Sequence, residues 1–322
     1  MKRAFIICCA LPLLASCSGQ ALSPAFIEPP AGSFSPSVSP AVNEELARQA
    51  GLERIVFHVG PVDLPPNTTP DAMADQPLVM RFQLEKPMWI IGFEPKVIDA
   101  HGNDLPATLL RQALMLNNHE ENPLCASGGG GNPIAVATAL LTDVALPDGH
   151  GYPVLPSDPL EVQVVFQNQT DKAYDSVSFE IALVAKPMND LIDLKDVQPV
   201  FLEFDPCEHA LGDIQPGEFS PRTVEAKLPE GGNLVVAHGL LGDYGVSVAI
   251  TKEKELEPFW KAESELDAEH HLLGLDPNPF EDPAGVAISA DAELTLSVTY
   301  DNISDRWLTA VPAGAMVYVV KE

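Results

Sequence analysis

An all-β chain folded as two antiparallel β-sandwich domains is what this sequence predicts, and three observations carry the prediction. Pro 31 and Gly 22 punctuate 322 residues too often for long helices, and suit short strands joined by turns. Runs rich in β-branched and aromatic residues recur between turn formers: IVFHVGPVDL, LVMRFQLEKPMWIIGFEPKVIDA, LEVQVVFQN and VSFEIALVA. Two runs alternate with the period of a half-buried strand. Leu160, Val162, Val164 and Phe166 share one face of the first, and Val177, Phe179, Ile181 and Leu183 one face of the second.

Hydrophobic residues make up 46% of the chain, enough to build a core. Lys and Arg total 18 against 46 Asp and Glu, a formal charge of -28. That balance excludes the basic surface a nucleic acid requires, and equally a polybasic membrane-binding face.

In chain order, Lys2 and Arg3 precede an apolar stretch from Ala4 to Leu14 that is too short to span a bilayer. It runs into Leu14-Ala15-Ser16-Cys17, which resembles a bacterial lipobox. The resemblance implies that residues 1–16 are a signal peptide and that Cys17 is lipidated with diacylglycerol and an amide-linked palmitate-type chain. Two acyl attachments give stable anchoring where one would not. Ser18 rather than Asp follows, which in Gram-negative lipoproteins implies the outer membrane, with the chain facing the periplasm or the cell surface. No later stretch approaches the 18 apolar residues of a transmembrane helix.

Residues 17–50 begin as SGQALSPAFIEPPAGSFSPSVSPAVN after the cysteine, a Pro/Ser-rich tether without period. NEELARQA at its end reads as one or two helical turns capped by Asn43. The first sandwich is expected over 51–195 and the second over 196–322. Pro187 to Pro221, acidic and Pro-rich, reads as the crossing between them. TVEAKL, NLVVAHGLL, YGVSVAITKE, AELTLSVTYDN and AGAMVYVV supply the second set of strands, and Glu255 to Leu273 reads as one helix. Cys8 and Cys9 leave with the signal, so Cys125 and Cys207 remain as a disulfide pair in an oxidising compartment, with two buried thiols as the alternative. No CxxC motif supports redox exchange.

Six segments in order resemble the copper type II, ascorbate-dependent monooxygenases, the group of peptidylglycine hydroxylating monooxygenase and dopamine β-monooxygenase. They are KPMWIIGFEPKV, LLRQALMLNN, LPDGHGYPV, VQVVFQNQTDKAY, LVVAHGLLGDYGVSVAI and SVTYDNISDRWLTAVPAGAMVYVV, spanning roughly 54 to 320. The resemblance implies jelly-roll-like sandwiches facing each other across a solvent-filled cleft. It also implies one copper in each, held by imidazoles because imidazole suits both oxidation states of copper.

Carried over residue by residue, the ligands are missing. The His-His pair of the family falls on Arg111 and Gln112, its third His near Gln167, and its His-x-His on Leu240 and Gly242. Arg cannot ligate and repels a cation. Met316 stands where the family has its Met ligand, and His238 lies two residues from Leu240 on the same strand face, so these two are the weak metal candidates. His119 reads as a loop residue, His150 as a turn residue, and His270-His271 as a pair that diverges on a helix.

Gly128 to Gly131 lacks the Lys-Ser/Thr of a phosphate loop, and GxSxG, HExxH and EF-hand patterns are absent. Asp276, Glu281 and Asp282 form an acidic loop that reads as solvated rather than calcium-binding, and Asn67 and Asn302 head glycosylation patterns. The expectation is therefore a non-catalytic binding or scaffold lipoprotein with no cofactor. Its ligand or protein partner, of unknown identity, would sit in the interdomain cleft. Copper catalysis with displaced ligands is one alternative, and an unrelated β-sandwich binding lipoprotein the other.

Overall fold

The structure, a computed structural model, describes residues 51–68, 77–125, 130–189, 194–204, 212–228, 230–253, 255–290 and 292–321. The expected signal peptide, the expected lipidation site Cys17, the expected tether and helical turns at Asn43, and Cys207 and His209 lie outside the described residues.

Among the described residues the chain is strand and turn, with one 3-10 turn at Ala107–Leu109 and no α-helix. The first half comprises β1 (Glu53–Leu64), β2 (Leu78–Phe82), β3 (Met88–Ile98), β4 (Leu110–Glu121), β5 (Gly131–Ala137), β6 (Val144–Ala145), β7 (His150–Val154), β8 (Leu160–Phe166) and β9 (Tyr174–Pro187). The second comprises β10 (Lys195–Glu203), β11 (Gly212–Ile214), β12 (Glu218–Lys227), β13 (Gly232–Leu240), β14 (Gly245–Lys252), β15 (Trp260–Leu266), β16 (Leu272–Asp276), β17 (Phe280–Ile288), β18 (Glu293–Asn302), β19 (Leu308–Val311) and β20 (Gly314–Lys321).

The two halves repeat one topology. In the first, an inner sheet of order β1-β9-β3-β7 faces an outer sheet of order β2-β8-β4-β5. In the second, β10-β20-β13-β17 faces β12-β18-β14-β15-β16. Apart from the additional edge strand β16, the two halves follow the same jelly-roll strand order. Even the irregularities match: β3 skips a residue between Ile90 and Gly92, and β13 between Leu234 and Val236. Strict alternation builds the cores. Leu160, Val162, Val164 and Phe166 of β8 are all fully buried, as are Leu294, Leu296 and Val298 of β18.

The inner sheets join into one. Lys195 and Asp196 of β10 pair in parallel with His150 and Gly151 of β7. One face of the second inner sheet packs on its own core through Val200, Leu202, Ala315, Val317 and Val319. The opposite face sends Phe201, Val236, Leu240, Met316, Tyr318 and Val320 into the core of the first half. Tyr318 donates its hydroxyl to the Ile134 carbonyl at 3.0 Å and stacks near Phe93. This corrects the expected solvent-filled cleft: along this seam the halves meet through packed side chains.

Two further expectations are corrected. Residues 195–203, read as part of a crossing, form β10 in the middle of the joined sheet. The segment read as a helix over 255–273 is a hairpin of β15 and β16. In β15, Trp260 and Ala262 are buried while Lys261 and Glu263 are exposed, a period of two. The edge of β14 away from β18 recruits that alternation into the sheet.

Candidate functional site

The positions that the family resemblance marks fall in two places along the seam. Arg111 sits on β4 where the register against β8 slips between Leu110 and Gln112. A bulge frees its residue from the ladder and re-aims the side chain. Arg111 is buried, and its guanidinium reaches across to the second half, donating to the Thr309 carbonyl at 3.0 Å. Beyond it lies Gly242, where an added Cβ would come 2.9 Å from Pro312 and 3.6 Å from the Arg111 guanidinium.

Tyr300 completes this corner. Its hydroxyl accepts from the Gly242 backbone N–H at 2.9 Å and donates to the Pro312 carbonyl. Burial pushes its phenol far up, out of the titrating range. Gln167 is also buried and donates to the Thr108 carbonyl at 3.1 Å. Gln112 is buried in the same strand as Arg111, and Leu240 is core.

His238 and Met316 are the second place. They are directly opposed partners on β13 and β20, which puts both side chains on one face of the sheet. Both are buried, and the His238 Nε2 has no hydrogen-bond partner. Loss of hydration lowers the His238 pKa to about 4, so the imidazole is neutral at pH 7.

The donor set does not fit a copper type II centre. One imidazole and one thioether face each other, and the other ligand positions hold a guanidinium, two carboxamides, an aliphatic side chain and a glycine. The remaining described histidines do not gather there. His58 pairs with Glu180 at 2.8 Å, His271 with Asp267 at 3.0 Å, and His270 stacks on Tyr244. His270 and His271 occupy the β15–β16 turn rather than a helix. His119 lies on β4 rather than in a loop, with its N–H donated to the Asn117 side chain. His150 opens β7, buried and 3.2 Å from the Pro147 carbonyl. Asp276 pairs in β16 and Asp282 accepts from the Ala284 N–H. Among the described residues no group of three or more His, Cys, Asp or Glu is arranged to hold a metal.

Cavities are few among those described. One of about 10 Å³, too small for a ligand, lies inside the first sandwich between Phe93, Met115, Val162 and Phe179. An open depression of about 540 Å³ runs along Gly231, Ile288 and Ser289, with the Lys321–Glu230 ion pair (2.9 Å) at its wall. That pair, by its hydrogen bond to Glu230, raises the Lys321 pKa.

No family model matches the chain, and no curated protein sequence matches it. Solved structures that are similar include VP54 of PBCV-1, fitted into a reconstruction of the virophage Sputnik. It is 8% identical over 83% of this chain and 93% of that one, with a TM-score of 0.30. The major capsid protein P2 of bacteriophage PM2 is 10% identical over 84% and 98%, with a TM-score of 0.34. A chain of the Sulfolobus turreted icosahedral virus is 7% identical over 83% and 90%, with a TM-score of 0.28. Likeness at this level says nothing of role or ancestry.

The sequence patterns also hid a structural pair. Asn302, read as heading a glycosylation pattern, is fully buried and donates to the Ile214, Gln215 and Arg306 carbonyls. Asn168 heads the same pattern, Asn168-Gln169-Thr170, and is buried in the same way. The shared string Asn-x-Ser/Thr-Asp-Lys/Arg at 168–172 and 302–306 was the signal that could have revealed the repeat.

Proposed function

We propose that this chain is a lipid-anchored, extracytoplasmic scaffold or binding module that keeps a monooxygenase-like sandwich pair without copper chemistry. The supporting observation is the use made of the ligand positions. Arg111 spans from β4 to the Thr309 carbonyl and lies against Gly242, so these residues serve contact between the halves. A fixed positive charge there opposes a bound cation. Anchoring rests on the Leu14-Ala15-Ser16-Cys17 string, with the outer membrane as destination because Ser18 follows.

Two measurements test the reading. Intact-mass analysis of detergent-extracted protein should find a chain beginning at acylated Cys17, and an unmodified cysteine defeats the anchor. After loading with Cu(II) and dialysis, electron paramagnetic resonance should show no stoichiometric type II signal. A signal that disappears in His238→Ala would instead favour the second reading, a copper monooxygenase with displaced ligands, for which the His238–Met316 pair is the motive.

A further inference from the structure

The repeat of one turn in both sandwiches exposes a difference between them. Both turns are built by a buried Asn that ties three carbonyls, with a hydroxyl two residues later closing on its Oδ1. In the first half the residues one and five places after that Asn are Gln169 and Ala173. In the second half the same places hold Ile303 and Trp307, which are 58% and 55% exposed. Phe219, 64% exposed, stands on β12 opposite Asp301 and two residues from Gly217, whose N–H binds the Asn302 carbonyl. The scaffold does not need these apolar side chains, because the first half builds the same turn without them. Three large apolar groups held out at one corner are costly in water.

We propose that this corner of the second sandwich, Phe219, Ile303 and Trp307, docks into the interfacial zone of a neutral phospholipid bilayer. The proposal rests on the anchor reading above. Trp307 on the turn and Phe219 near the start of β12 suit the headgroup boundary, where an aromatic ring sits half in hydrocarbon. Glu218 and Asp301 flank Phe219 on the paired strands, Asp213 accepts from Arg222 through its carbonyl, and Asp305 and Arg306 lie in the Asn302 turn, so attraction to anionic lipid is not what brings the corner there. The tether supplies proximity. The Pro/Ser-rich composition of residues 17–50 reads as a tether, and the number of residues from Cys17 to Leu52 corresponds to a coil span of about 30 Å, comparable with the size of a domain this long. Tethering raises the effective concentration of the bilayer at the patch, so weak apolar contacts suffice.

The test uses the full chain reconstituted in phosphatidylcholine vesicles whose acyl chains are brominated near the headgroup. Trp307 is the most exposed of the three tryptophans; Trp260 is buried and Trp89 half-buried. Bromine should quench the Trp307 part of the tryptophan emission, and the Trp307→Phe variant should lose that quenching while staying vesicle-bound. Phe219→Ser with Ile303→Ser should restore emission at Trp307. The same preparation analysed by mass separates the two readings. An acylated, vesicle-bound chain without Trp307 quenching overturns the patch and leaves the anchor. A non-acylated chain whose Trp307 is quenched keeps the patch and defeats the anchor. No quenching of a non-acylated chain at millimolar lipid overturns both.

Discussion

Asn168 and Asn302 make the same three donations at the same place in the two sandwiches. The Asn168 amide donates to the Leu64, Pro65 and Lys172 carbonyls, and the Asn302 amide to those of Ile214, Gln215 and Arg306. Asn168 ties the end of β1 to the turn that follows β8, and Asn302 ties the end of β11 to the turn that follows β18. Removing either amide takes a donor from the carbonyl of a buried residue, Leu64 or Ile214, and from two carbonyls at the surface. Asn168→Ala and Asn302→Ala should each lower unfolding free energy by about 3 kcal/mol, read by urea denaturation. A loss within experimental scatter of zero would show that the turns hold without these amides.

His238 should make stability fall in mild acid. Its folded pKa, about 4, lies below the ordinary value of 6.5 because burial disfavours the charged ring, and no charged group contributes to that shift. The unfolded chain therefore takes up a proton first. The contribution is complete above pH 6.5 and is lost as pH falls to 4, about 3 kcal/mol in all. His238→Leu should flatten that part of the stability profile relative to wild type. An unchanged slope would mean that the ring is hydrated in the folded protein.

Arg111→Met should destabilise the protein by about 2 to 4 kcal/mol, since the Thr309 carbonyl loses a charged donor at a partly buried seam. Gly242→His, which restores a family-like ligand, should also destabilise, because its Cβ meets Pro312 at 2.9 Å. The double variant should gain no copper site, as titration with Cu(II) would report. Tight stoichiometric binding would show that the corner can open to accept imidazoles.

Cys125 and Cys207 should be joined. Bridging them closes a loop of about 80 residues, stabilising by on the order of 4 kcal/mol if unstrained. Labelling of unfolded, unreduced protein should find no thiol, whereas two labelled thiols per chain would refute the pairing.

By itself the sequence determined the strands and their inward faces. Leu160, Val162, Val164 and Phe166 are buried because a strand repeats every two residues, and that period is local. Turn residues likewise marked where the sheets break. Tertiary structure alone decided what lies opposite what. It set His238 against Met316 and turned Arg111 out of its ladder at a bulge toward Thr309. It drew Lys195–Glu203 into the joined sheet, and made a hairpin of a segment that reads equally as a helix. It buried Asn302, whose sequence pattern suggests an exposed modification site. These outcomes depend on hydrogen bonds and packing between residues far apart in the chain, or on a neighbouring strand edge, and no periodicity within one segment encodes its partner.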